Sequence, residues 1–202
     1  MVLTPTSLVA NEVRVFTRAE AIAVGHSDHQ LRRWVSGGSV RRVSRGAFAV
    51  GPAPEYAEGR LIERAKAFAL PHGDRVALSH HVALVLHGIA TYAVPLHIVY
   101  AVRISGGAQL GAGVHLERPR TAPPTVLVDG VNVVRAEVAV VQVARTFGHV
   151  AGCVAADSAL SLQTLDRADL RREAERVGAA PGIAVARAIV DLCRDGSAHR
   201  RN

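Results

Sequence analysis

Cysteine is nearly absent from this chain. Its 202 residues include two, Cys153 and Cys193, each inside an apolar helical pattern. They read as reduced core residues, and a disulfide-stapled secreted scaffold is excluded. Long apolar runs are missing as well. The longest candidate, Val138–Ala144, is interrupted by Gln142 and falls well short of the roughly 20 residues that a membrane-spanning helix needs. The opening Met1-Val2-Leu3-Thr4-Pro5 lacks a basic segment followed by an apolar core. No secretion signal is therefore expected, and the protein is expected in the cytoplasm, away from membranes. Lysine is reduced to Lys66 alone among 24 basic residues. What remains is 49% apolar, with mean hydropathy +0.19, which is enough to bury a core and excludes wholesale disorder and fibrous architectures.

The formal charge is +7, from 24 basic and 17 acidic residues. Arginine dominance, with abundant Ala, Val and Gly, suits a GC-rich genome, so the amount of Arg says little. Its placement says more. Residues 26–46 hold Arg32, Arg33, Arg41, Arg42 and Arg45 against one acid, Asp28, which leaves +4 in a tenth of the chain. A compact basic patch on a small domain is the electrostatic footprint of a nucleic-acid binder.

Four regions follow from the pattern of breakers and periodicity. Residues 1–50 hold short helices and a strand pair. Residues 51–59, with two prolines and two glycines, read as a linker. Residues 60–147 mix helices with β-rich stretches such as Leu96–Arg103 and Val131–Val134, and residues 152–196 return to helix. The expected class is α+β: a winged helix-turn-helix over 1–50, then a mixed α/β domain over 60–202 with a small sheet and C-terminal helices.

The first region is the most explicit. Thr17-Arg18-Ala19-Glu20 is a capping box, opening a helix that runs to about Val24 and stops at Gly25. Ser27-Asp28-His29-Gln30 repeats the signal, and its helix ends at Gly37-Gly38. Two capped helices joined by so short a turn cross steeply, as in a helix-turn-helix. Leu31, Trp34 and Val35 mark the buried stripe of the second helix, leaving His29, Arg32, Arg33 and Ser36 outward. An Arg-rich outer face suits the major groove, where Arg grips guanine with two hydrogen bonds. Val40–Val43 and Ala47–Val50 then flank Ser44-Arg45-Gly46, a tight hairpin. Val43, Phe48 and Val50 are expected to pin it to the helices. His29, Gln30, Arg32 and Arg33 are the candidates for base readout, while Arg41, Arg42 and Arg45 are those for phosphates or the minor groove.

These residues carry a resemblance. The segments Val15–Ala21, Ser27–Arg33 and Arg41–Val50 resemble the actinobacterial AbiEi-like antitoxins of type IV toxin–antitoxin systems. The resemblance continues through Leu78–Gly88, Ala144-Arg145-Thr146 and Ala155–Leu160, and spans roughly residues 13 to 195. It implies a winged helix that binds promoter DNA and represses its own operon. It also implies a functional partner, a nucleotidyltransferase toxin that the antitoxin need not touch. His81 stands where the family usually has Arg, and Gly148-His149 where relatives often place Asp. Many relatives continue into a very-short-patch-repair-type nuclease domain, whereas this sequence ends at Asn202.

Catalytic chemistry finds little support. His80 and His87 are seven apart on a helix opened by Ser79 and stopped by Gly88, whereas single-helix metal sites use four-residue spacing with acidic or Cys ligands nearby. Between Glu63 and Glu117 the only carboxylate is Asp74. Helix capping and interdomain hydrogen bonds are the expected roles for these histidines. Ser79-His80 lacks a nucleophile elbow. Gly106-Gly107 and Gly111-x-Gly113 lack the Lys or helix start of a phosphate loop. Asp166, Asp169, Glu173 and Glu175 interleave with Arg167, Arg171, Arg172 and Arg176, as on an exposed helix of alternating charge. Asp157, in a small-residue helix, reads as buried or capping. Arg60–Leu70 places Leu61, Ala65 and Phe68 on one stripe, and Pro181–Arg194 does so with Ile183, Ala186, Val190 and Cys193. That last helix could leave apolar surface suited to a homodimer.

The expectation is therefore a DNA-binding transcriptional regulator that is not an enzyme. It would bind double-stranded DNA, its own promoter above all, with no metal and no cofactor. The alternatives are the truncated front of a nuclease fusion and a winged-helix module that binds only protein.

Overall fold

A computed structural model describes residues 15–107 and 111–192. It is a mixed α/β protein. The chain runs β1 (Val15–Thr17), α1 (Arg18–Ala23), α2 (Asp28–Ser36), β2 (Val40–Ser44), β3 (Ala47–Val50) and α3 (Ala57–Ala69). A 3-10 segment at Leu70–Arg75, β4 (Val76–Leu78) and α4 (His80–Leu86) follow. Then come β5 (Val99–Arg103), β6 (Val114–Glu117), β7 (Thr125–Val128) and β8 (Val131–Val134). Four helices close the described chain: α5 (Ala136–Phe147), α6 (His149–Ser161), α7 (Arg167–Val177) and α8 (Ile183–Leu192). One sheet has the order β1-β3-β2 and is antiparallel throughout. The other has the order β6-β5-β4-β8-β7, with β4 antiparallel and β6 parallel to β5.

Two compact units result. The first takes residues 15–78, the described part of 96–122, and 127–132; the second takes 79–95, 123–126 and 133–192. The division does not fall at the expected linker, 51–59. Residues 51–56 are irregular, but Ala57–Gly59 already open α3. That helix lays Ala67 against Val15, Ala47 and Ala49 of the small sheet, so the elements flanking 51–59 share a core.

Strand alternation explains the first unit. Side chains on a strand point to opposite faces in turn, and the register aligns Phe16, Phe48 and Arg42 across β1, β3 and β2. This row faces α1 and α2. Phe16 and Phe48 stack with ring centroids 5.7 Å apart and pack with Val40, Ala21 and Leu31, flanked by Trp34 and Val50. The next row, Val15, Ala49 and Arg41, faces α3.

Two core expectations need correction. Val43 does not pin the hairpin to α1 and α2; the register shifts between Arg42 and Ser44, and the extra residue joins the α3 cluster beside Leu70. Val35 is 37% exposed, while Leu31 is buried and Trp34 half-buried. Phe48 and Val50 lie where they were expected.

In the second unit α5 is the hub, packed by α4, α6, α7 and α8. Its apolar run Val138–Ala144 is buried except Gln142. Ser79 makes no capping bond to the α4 backbone; its Oγ shares a 3.0 Å hydrogen bond with His80 Nδ1 instead. His80 Nε2 meets Thr146 Oγ1 at 3.2 Å, and His87 Nε2 meets the Val134 carbonyl at 2.9 Å. Two carboxylates depart from expectation. Asp157 is exposed. Glu173 is buried and accepts both Arg176 Nε and Nη2, at 2.6 and 2.7 Å, because α7 turns one charged residue inward beside Leu170 and Ala174. In α8, Ile183, Ala186 and Val190 are buried as expected, together with Ile189; Cys193 lies outside the described residues.

Candidate nucleic-acid interface

Both capping boxes form. Thr17 Oγ1 accepts from Glu20 N at 3.1 Å, and Glu20 Oε2 accepts from Thr17 N at 2.6 Å. Ser27 Oγ accepts from Gln30 N at 3.2 Å, and Gln30 Oε1 accepts from Ser27 N at 2.7 Å. Each satisfies amides that the first helical turn leaves unpaired. Between the helices, Gly25 takes φ +92°, and His26 tucks its buried ring edge-on against Trp34, centroids 4.8 Å apart.

A second clamp joins the helix starts. Arg18 donates Nε to Asp28 Oδ1 at 2.7 Å and Nη2 to Oδ2 at 2.6 Å. Hydrogen bonding to Arg18 holds the Asp28 carboxyl below its ordinary range, and the same contact raises the Arg18 guanidinium. Arg18 also donates its backbone N–H to the Gly46 carbonyl at 2.9 Å, tying the hairpin tip to α1. No sequence motif marks this ten-residue pairing.

The candidate side chains do not share one surface. His29, Arg32, Arg33 and Ser36, at i, i+3, i+4 and i+7, are all exposed and form one stripe along α2. Ser36 Oγ donates back to the Arg33 carbonyl at 3.0 Å. Gln30 is also exposed, but its Oε1 is engaged in the cap. Arg42 is exposed on the sheet face toward α2, its guanidinium 5.8 Å from the Phe48 ring centroid, a cation–π contact. Arg32, Ser36 and Arg42 line one groove of about 490 Å³ with Arg18 and Val35.

Arg41 and Arg45 leave that group. Arg41 points to the opposite sheet face, donating Nε to the Gly51 carbonyl at 2.8 Å and Nη2 to Glu63 Oε1 at 2.6 Å. Its guanidinium is a structural tie, not an open cation. Arg45 sits exposed in the two-residue turn, where Gly46 supplies φ +80°. It lines a different cavity, against α3.

The arrangement offers a positive, outward helix face whose one acid is already paired. Residues 5–51 match the AbiEi antitoxin family of transcriptional regulators. The AbiEi match ends one residue beyond β3 and takes in all eight candidate residues. None of the curated proteins matches the chain. No group of three or more His, Cys, Asp or Glu that could hold a metal ion occurs among the described residues. No described helix is long and apolar enough to cross a membrane.

Proposed function

We propose that the chain is a DNA-binding transcriptional regulator, the antitoxin of a type IV toxin–antitoxin pair that represses its own operon. In this reading β1, α1, α2 and the β2–β3 hairpin form a winged helix-turn-helix, with α2 as the recognition helix. One observation carries it: the stripe His29, Arg32, Arg33 and Ser36 is solvent-exposed on a doubly capped helix inside the family-matched segment. Bidentate Arg contacts to guanine need such unobstructed guanidinium groups. Arg42, beside the same helix, supplies a phosphate contact, and Arg45 supplies a second from the wing tip. The protein binds as a homodimer without a cofactor, and its toxin is opposed without obligatory contact.

Fluorescence anisotropy of the protein on its own upstream DNA and on a scrambled control, across a salt series, tests this. Tighter binding to the native fragment at physiological salt is expected. Equal, weak binding to both would reduce the patch to charge alone, and absent salt-dependent affinity would favour a module that binds only protein.

A further inference from the structure

A second basic concavity of the first unit lies away from the α2 face. A cavity of about 840 Å³ lies between the hairpin tip, α3, the Leu70–Arg75 segment and the start of β5 and β6. Arg45, Arg64 and Arg75 line it, with His72, His97 and Phe68. No Asp or Glu lines it among the described residues. Three guanidinium groups in one concavity without a counter-charge concentrate positive potential there.

The wall is built for more than solvent. Arg64 donates Nη2 to the Leu96 carbonyl at 2.6 Å, which fixes its guanidinium. Its Nε is buried with no hydrogen-bond partner among the described residues, and a buried N–H left unpaired is costly. Arg75 is held by the His72 and Pro71 carbonyls at 3.0 and 3.2 Å. Two cations are thus pre-positioned. Phe68, buried, and His72, half-buried, set their rings 4.7 Å apart and tilted by 37°, an aromatic wall beside the charges. Gly107, Gly111 and Gly113 also line it, with Ala112 and Val114. The volume falls in the range of small-molecule sites, roughly 300–1,000 Å³.

We propose that this cavity binds a phosphate-bearing small molecule with a flat ring, of nucleotide size. Arg64 and Arg75 take the phosphates, as guanidinium forks do, and Phe68 with His72 takes the ring. Arg45 belongs both to this cavity and to the hairpin tip. A bound nucleotide therefore draws Arg45 from DNA, a consequence that rests on the DNA-binding reading above.

Isothermal titration of the full chain without DNA tests the site, using ADP, inorganic pyrophosphate and adenosine as probes. Saturable ADP binding is expected, with weaker pyrophosphate binding and none by adenosine. Arg75→Gln and Arg64→Gln should each weaken ADP by about tenfold or more, the loss of one charge-assisted contact. Arg75 is exposed, so its variant keeps the test usable if Arg64→Gln fails to fold. No saturable ADP binding, adenosine binding as well as ADP, or indifference to both substitutions overturns the proposal. If nucleotides do not bind while Arg75→Gln weakens DNA, the phosphates belong to the DNA backbone and the small-molecule site is refuted. ADP binding with no effect on DNA would retain the site and reject only the shared role of Arg45.

Discussion

Arg18 and Asp28 hold each other with two parallel hydrogen bonds of 2.7 and 2.6 Å across the starts of α1 and α2. The pair converts the one acid of the 26–46 stretch from a blemish on a basic surface into a brace between two helices. It lies in the open, where salt screens it, so its effect depends on conditions and can be read by pH.

The Asp28 carboxyl titrates below its ordinary range because Arg18 hydrogen-bonds its charged form. Its stabilisation is therefore present above the unfolded carboxylate value, about 4, and is lost as pH falls through the lower folded value. Thermal unfolding of wild type and Asp28→Asn should differ at pH 6 and converge as pH falls below the ordinary carboxylate range. The difference at pH 6 should shrink in molar salt. A constant offset across pH would mean that the pair contributes nothing specific.

Arg41 and Arg42 are neighbours in sequence with opposite duties. Arg41→Ala leaves Glu63 buried without its partner and should cost about 2 kcal/mol, below the usual penalty for breaking a buried pair because Arg41 is partly exposed. Urea unfolding measures this. DNA affinity of the folded variant should be unchanged. Arg42→Ala should show the reverse, near-native stability with weaker DNA binding. Equal losses of affinity would return Arg41 to the interface.

How legible this was in the sequence differs by length scale. The two capping boxes and both helix ends at glycine were readable because their partners are three residues apart. The divergence of Arg41 from Arg42 follows from strand alternation, yet a reading by charge grouped them together. The role of α3 was hidden: Ala67 and its neighbours announce a buried face but not which surface covers it. Glu173 looked solvated because interleaved charges count alike until a helix face is assigned. The basic cavity draws its wall from four separated stretches, so no local pattern could mark it.

Gly152 on α6 gives a packing test. A Cβ there would sit 2.7 Å from Ala144 Cβ and closer still to the Ile189 side chain. Gly to Ala in a helix normally gains up to about 1 kcal/mol. Here the clash between three helices should reverse the sign, with a net loss of about 1–3 kcal/mol from overpacking. An unchanged or higher urea midpoint for Gly152→Ala would show that α5, α6 and α8 are less tightly packed.

The division between base-reading and phosphate-binding arginines is the sharpest test of the proposed function. Arg32 and Arg33 lie on the outward stripe of α2, so Arg32→Ala or Arg33→Ala should cost about 1–3 kcal/mol on the native upstream fragment and little on scrambled DNA. Arg42 and Arg45 lie on the hairpin. Their loss should weaken both fragments alike and lower the salt slope by about one per residue. Anisotropy titrations of the four variants at three salt concentrations separate the classes. If all four weaken both DNAs equally, α2 binds as a charged rod and reads no sequence. If only the hairpin variants matter, recognition has moved off α2, and the stripe is a solvated face.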